Sequence, residues 1–331
     1  MKLETEQRNP ARDSGLPWWA PLRRNAALVS FILLCLVFTF MIPWRDGFPV
    51  FLSQVNILNV IRQVSVVGIM AVGMTYVILL GQIDLGVGSV LALTGMIAAI
   101  MQRAEMPLLP SLLVPILIGA GTGLMVGLLV TRGNIPSFVA TLGILAAYRG
   151  ATLLISGQPV LGLQDDFRFI GAGEVFGLPV PIIIFAIVVS VGAVVLRRTR
   201  FGRYIYAVGG NETAARLSGI NVDVIKLSVF VITGVCTAIS ALILTGRLNS
   251  GQPLAGQGYE LDVIASVVVG GTSLAGGRGS VGGSLIGAML IGVLSNGLTL
   301  LEVPPDWQPI VKGSIIVVAV LIDNLGRKRS R

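Results

Sequence analysis

The chain has 331 residues, 54% of them hydrophobic and 12% charged, with a formal net charge of +8 and no histidine. Soluble domains carry about a quarter charged residues, so this composition excludes an ordinary soluble domain and points to lipid. The missing histidine excludes His-based acid–base chemistry, His metal sites and His-dependent catalytic triads.

The basic residues fall between apolar runs and at the two ends. That is a topology signal and not a binding stripe, so no nucleic-acid partner is expected. Lys2, Arg8, Arg12, Arg23 and Arg24 precede the apolar run from Ala26 to Ile42. No small-x-small cleavage site follows that run, so it reads as an uncleaved first span. At roughly 20 apolar residues per span, further spans are expected near 59–80, 88–102, 111–131, 135–155, 179–197, 226–246, 262–276, 281–300 and 309–325. The count is about ten, with the third and eighth short and interrupted by glycine. An even number keeps the tail, Arg132, the 197–226 stretch, Arg278 and the basic C-terminal end on one side, the cytoplasmic one. The chain therefore divides into a cytoplasmic tail over 1–25, a membrane domain over 26–325 and a basic cytoplasmic tail over 326–331. The expected architecture is an all-α polytopic membrane protein.

Four tryptophans, Trp18, Trp19, Trp44 and Trp307, fall near expected membrane edges, where an amphipathic indole is favoured. Cys35 and Cys236 sit inside apolar runs and read as packing residues. The first polar interruption is GQIDLGVGS at 81–89. Asp84 lies there among glycines. It either serves a broken span that exposes backbone carbonyls or caps the third span, the preferred reading. Gly119, Gly123 and Gly127, like Gly283 and Gly287, repeat every four residues, as expected of closely packed membrane helices. Arg149 stands within the fifth span and either lines an aqueous path or pairs internally or snorkels. Arg62 and Lys312 lie close to an outer edge, where snorkelling is expected. One longer external excursion is expected over about 156–178.

The segment RRTRFGRYIYAVGGNETAARLSGINV at 197–222 carries five arginines between membrane-grade runs and must project into water. Asn211 is a good N-cap, Glu212 suits a helix N-terminus, and Gly219 supplies the stop. Glu212 and Arg216 form an i,i+4 pair in the favourable orientation. Ala214 and Ala215 leave a shallow surface that another protein can approach. An ordinary capped surface helix accounts for the same residues equally well. A short echo, Gly86-Val87-Gly88-Ser89-Val90 and Gly277-Arg278-Gly279-Ser280-Val281, marks a glycine-rich break in each half.

Glu212-x-Ala214-Ala215-x-x-x-Gly219 resembles the coupling loop of bacterial ATP-binding-cassette (ABC) importer permeases. The longer AVGGNETAARLSGINV resembles the monosaccharide branch, the ribose, xylose, arabinose and galactose type permeases, which is related to the branched-chain amino acid permeases. GQIDLGVGS is similar to that branch's GGIDLSVGS, and TLGILAAYRGATLLISGQPV and VVVGGTSLAGGRGSVGGSLIGA also match. The departures are Gln82 in place of glycine, Gly86 in place of serine and Thr213 inside the Glu-Ala-Ala. The resemblance runs from about Asn56 to the end.

It implies a non-enzymatic permease in the bacterial inner membrane, both termini cytoplasmic. Its partners would be a separate ATPase, a periplasmic sugar-binding protein and a second permease copy. Asn211, Glu212, Ala214, Ala215, Arg216 and Gly219 would couple to the ATPase. Gln82, Asp84 and Arg149 are the candidates for the translocation path. No cofactor is implied on this chain, which lacks the GxxxxGK[ST] nucleotide loop, so ATP belongs to the partner. A related permease for branched-chain amino acids, nucleosides or a sugar-like signalling molecule is the alternative. An ion-coupled transporter stands behind it, because Asp84 alone reads as a deep carboxylate.

Overall fold

A computed structural model describes residues 26–45 and 48–314 of the chain. The tails over 1–25 and 326–331, Trp18, Trp19 and most of the expected last span lie outside the described residues. The helices are α1 (Ala26–Met41), α2 (Gln54–Leu79), α3 (Val87–Arg103), α4 (Leu108–Thr131), α5 (Ser137–Ile155), α6 (Asp165–Ala172) and α7 (Val180–Arg198). They continue as α8 (Arg200–Gly210), α9 (Glu212–Leu217), α10 (Val222–Leu248), α11 (Tyr259–Val269) and α12 (Val281–Leu300). Residues 308–314 open one more helix. Among the described residues six helices, α2, α4, α5, α7, α10 and α12, are long and apolar enough to cross a membrane. The chain is an all-α polytopic membrane protein.

Two-residue strands serve only as clips. β1 (Trp44–Arg45) pairs with β2 (Phe48–Pro49), and β4 (Glu174–Val175) with β5 (Leu178–Pro179). β3 (Val160–Leu161) pairs antiparallel with β6 (Ser250–Gly251), tying the excursion after α5 to the end of α10.

The core forms around α10, which packs against α4, α2 and α3. Small residues set the approach. A Cβ on Gly123 would strike the Phe230 carbonyl of α10, and Gly119 and Gly234 exclude one another's side chains in the same way. Between α11 and α12, Gly287 lies on the Ser266 carbonyl and Gly283 on that of Gly270. The glycine repeats are packing seams, as the spacing led us to expect. Hydroxyls and amides add directional bonds that are favoured away from water: Tyr76 Oη donates to the Gly192 carbonyl (2.5 Å), and Thr75 Oγ1 to Ser284 Oγ (2.7 Å). Asn56 and Asn296 exchange amide bonds of 3.1 and 2.8 Å between α2 and α12.

Two expectations are corrected. The eighth span, expected over 262–276, is not one helix. α11 has 11 residues, about 16 Å of helix against a hydrocarbon core of roughly 30 Å. The chain then turns through Gly271, Gly276, Gly277 and Gly279, all at positive φ, which ends any helix. Arg62 and Lys312 do not snorkel free. Arg62 Nη2 pairs with Glu174 Oε1 at 2.9 Å, and Lys312 Nζ with Asp262 Oδ2 at 2.8 Å.

Candidate functional site

The water-exposed site is built on α9. Asn211 takes an extended conformation and its Oδ1 accepts the Ala214 N–H (2.9 Å), satisfying one of the free donors at the helix start. At the other end Gly219 sits at φ +82. Its N–H donates to the Arg216 carbonyl and that of Ile220 to the Ala215 carbonyl, both at 3.1 Å. This is the paired Schellman closure that glycine permits.

A charge network fixes the helix to the start of α10. Arg216 contacts Glu212 (3.4 Å) and Asp223 (3.1 Å), and Lys226 holds the other oxygen of Glu212 (2.8 Å). Asp223 first, then Glu212, raises the Arg216 pKa above its ordinary value, so the guanidinium stays charged at any pH of interest. The helix is thus capped at both ends and tied to α10 by ion pairs.

The structure divides the residues assigned to the contact. Asn211, Glu212, Ala214, Arg216 and Gly219 are exposed. Ala215 is 3% exposed and belongs to the hydrophobic core, so it seats α9 on this chain and offers no surface to another protein. The residue that sequence reasoning missed is Leu217, 85% exposed at the helix end. Its signal was one large apolar side chain two positions, or about 200°, from Ala215 on a polar helix.

The second site is the break between α2 and α3. α2 ends on its own Schellman closure, with Gly81 at φ +70, Gly81 N–H on the Ile78 carbonyl (2.9 Å) and Gln82 N–H on that of Val77 (3.1 Å). Residues 83–85 then run without helical bonds, and α5 supplies partners for two of them. Ile83 N–H donates to Ser137 Oγ (3.2 Å) and Leu85 N–H to Thr141 Oγ1 (3.1 Å). These two hydroxyls, four apart on an apolar helix, also escaped the sequence reading.

Asp84, 9% exposed, accepts the Gly86 N–H at 2.8 Å. It closes a turn two residues on rather than capping the helix proper, whose N-cap position is Gly86. The reason is position, since α3 begins only at Val87, three residues on. The echo is not equivalent at this level. Gly86 opens α3 without a side-chain bond, whereas Ser280 caps α12 by accepting the Gly283 N–H (3.1 Å).

Beside Asp84 lies a cavity of about 10 Å³ bordered by Val87, Thr122, Ile144, Phe230 and Thr237, room for a single water and not for a sugar. A larger cleft of about 250 Å³ is lined by Phe31, Phe51, Phe185, Val293, the Cys35 thiol and other apolar side chains. It offers a hydroxylated ligand no orienting partner. Gln82 is half-buried at the break. Arg149 is not joined to either of these residues. Its Nη1 donates to the Pro253 and Ala255 carbonyls, both at 3.0 Å, so it holds the loop ahead of α11. That loop in turn meets α3, where Gly256 abuts Gly88.

Arg149→Ala leaves two carbonyls without a charged donor, a loss of about 1.5–3 kcal/mol. The expected result is a protein that inserts but melts earlier in detergent, with any transport activity falling in step with folded protein. Full abundance and melting with lost uptake would instead place Arg149 on the path.

Residues 56–320 match the family described as branched-chain amino acid transport system / permease component. The chain is 52% identical to the ribose import permease protein RbsC of Haemophilus influenzae, over 85% of this chain and 89% of that one. It is 47% identical to the RbsC of Escherichia coli K12, over 83% and 88%. Identity to the xylose transport system permease protein XylH of H. influenzae is 36%, over 91% and 96%. No solved structure matches the chain. A capped, water-exposed helix between membrane helices, two glycine-rich breaks and this likeness along nearly the whole length agree: the chain belongs to the branched-chain amino acid transport system / permease component family.

Proposed function

We propose that the chain is the permease subunit of an ATP-driven importer for a monosaccharide, with ATP hydrolysed on a separate subunit and sugar delivered by a periplasmic binding protein. The observation that carries the reading is α9, a doubly capped helix that presents Leu217 and Ala214 outward while Ala215 seats it on the core. The sugar comes from the relatives, which are named for ribose and xylose.

Ten crossings follow if a non-helical stretch and a short helix share a crossing twice, residues 82–86 with α3 and the turns over 249–258 with α11. Both termini are then in the cytoplasm of a bacterial inner membrane, with α9 beside them. The small cavity at Asp84 and the apolar lining of the larger cleft support a path shared by two copies over one inside a single chain.

Labelling intact cells with an impermeant thiol reagent tests the orientation. A cysteine at Asn211 is expected to stay unlabelled and one at Asp165 to react; the reverse pattern overturns it. For the substrate class, the binding protein that stimulates this complex is expected to bind pentoses or hexoses in a calorimetric panel. Binding of branched-chain amino acids or nucleosides and no sugar would overturn the assignment.

A further inference from the structure

The C-terminal carbonyls of a helix need partners from outside it, and Leu79 at the end of α2 finds its own far along the chain. Gly277 N–H, from the loop between α11 and α12, donates to the Leu79 carbonyl at 2.9 Å. α8 lies against the same point. A Cβ on Gly209 would collide with that carbonyl and with the Gly277 nitrogen. Gly276, at φ +81, has the Gly209 carbonyl, the Leu79 carbonyl and the Gly81 nitrogen around it. On the same face of α8, Tyr206 Oη donates to the Gly279 carbonyl at 2.7 Å, one residue before the Ser280 cap of α12. Three segments distant in sequence thus meet backbone to backbone: the α2 end that leads into Asp84, the loop that opens α12, and the helix that leads into α9.

We infer that Tyr206 and Gly209 are positioning residues that join α8 to both membrane breaks, so that displacement of α9 moves the Asp84 turn and the α12 N-terminus together. The inference rests on α9 being the coupling helix. Backbone-to-backbone contact of this closeness transmits displacement without play, because packed interiors resist compression.

The helix carries its own control. Gly210 has open space where a Cβ would go, so Gly210→Ala is free while Gly209→Ala is blocked, although alanine is the better helix former at both positions. The experiment uses the whole complex in proteoliposomes and reads three quantities per inserted permease: ATPase subunit retained, ATP hydrolysed with loaded binding protein, and sugar taken up. Gly209→Ala is expected to keep the ATPase docked and hydrolysing while sugar moved per ATP falls at least tenfold, an effect of about 1.4 kcal/mol or more. Tyr206→Phe, which deletes one hydrogen bond and no volume, is expected to lower the same ratio about fivefold. Gly210→Ala is expected to match the native chain. A Gly209→Ala complex with an unchanged sugar-to-ATP ratio overturns the inference, whether or not its abundance falls, since a merely structural role lowers both activities in step. Loss of the docked ATPase in Gly209→Ala or Tyr206→Phe also overturns it, by making these residues part of the docking surface. The underlying coupling reading fails separately, if Leu217→Asp leaves docking intact.

Discussion

Leu217→Asp is expected to release the ATPase subunit and abolish ATP-driven uptake while the permease itself inserts normally. At 85% exposure the leucine contributes almost nothing to this chain's own fold, so its loss reports on a partner. Burying a leucine in a groove stabilises a contact by roughly 1.5–3 kcal/mol, and a desolvated carboxylate in its place removes that and more, which is over a hundredfold in affinity. Co-purification of the ATPase with tagged permease measures the effect directly. Gly219 gives a graded companion. Nothing crowds the position, so any penalty comes from φ +82 alone. Valine is strained there by about 1–3 kcal/mol and re-aims α9, whereas asparagine tolerates the left-handed region. Gly219→Val is expected to lose coupling and Gly219→Asn to keep most of it. Ala215→Asp puts a charge into the core and is expected to lower abundance rather than docking alone. If Leu217→Asp retains the ATPase and full uptake, α9 is an ordinary surface helix.

Lys312→Ala is expected to destabilise the permease by roughly 3–5 kcal/mol, because it strands Asp262 as an unpaired charge. The two side chains are 17% and 11% exposed and meet at 2.8 Å, the lysine on the last described helix and the aspartate in the first turn of α11. The pair therefore ties the last described helix to the half-helix that begins beyond the Arg149-held loop. Asp262→Asn combined with Lys312→Gln removes both charges and keeps hydrogen-bonding groups, so it is expected to recover most of the loss. Thermal melting of the detergent-solubilised protein distinguishes the cases. Native-like melting of Lys312→Ala shows that the pair is solvated and carries little.

What could be read without coordinates was local. The N-cap at Asn211 and the stop at Gly219 lie within nine residues of one another, and each acts on backbone groups a turn away. Long apolar runs likewise located α2, α4, α5, α7, α10 and α12 to within a few residues, α2 apart, which begins earlier at Gln54. The end of α11 was hidden for a physical reason. The glycines over 270–277 marked an interruption, but not that the helix already ends at Val269 and the chain then takes positive φ at Gly271, Gly276 and Gly277. Phase failed on α9, since six residues of mostly small side chains do not declare which alanine points inward. Pairings across the fold were beyond reach. Asp262 and Lys312 are 50 residues apart, Arg62 and Glu174 are 112 apart, and Arg149 bonds backbone carbonyls more than 100 residues away. The partners of the 82–86 break were equally invisible, because Ser137 and Thr141 look like any hydroxyls on a membrane helix.

ATP-dependent sugar uptake by the reconstituted complex tests the central claim most directly. Permease, ATPase and loaded binding protein are placed in vesicles, and labelled ribose and xylose are followed with ATP, with a proton or sodium gradient, and with ionophores. The expected result is uptake that needs ATP and the ATPase subunit, persists when ionophores collapse every ion gradient, and disappears in Leu217→Asp. Uptake by the permease alone, driven by an ion gradient and indifferent to ATP, would contradict it.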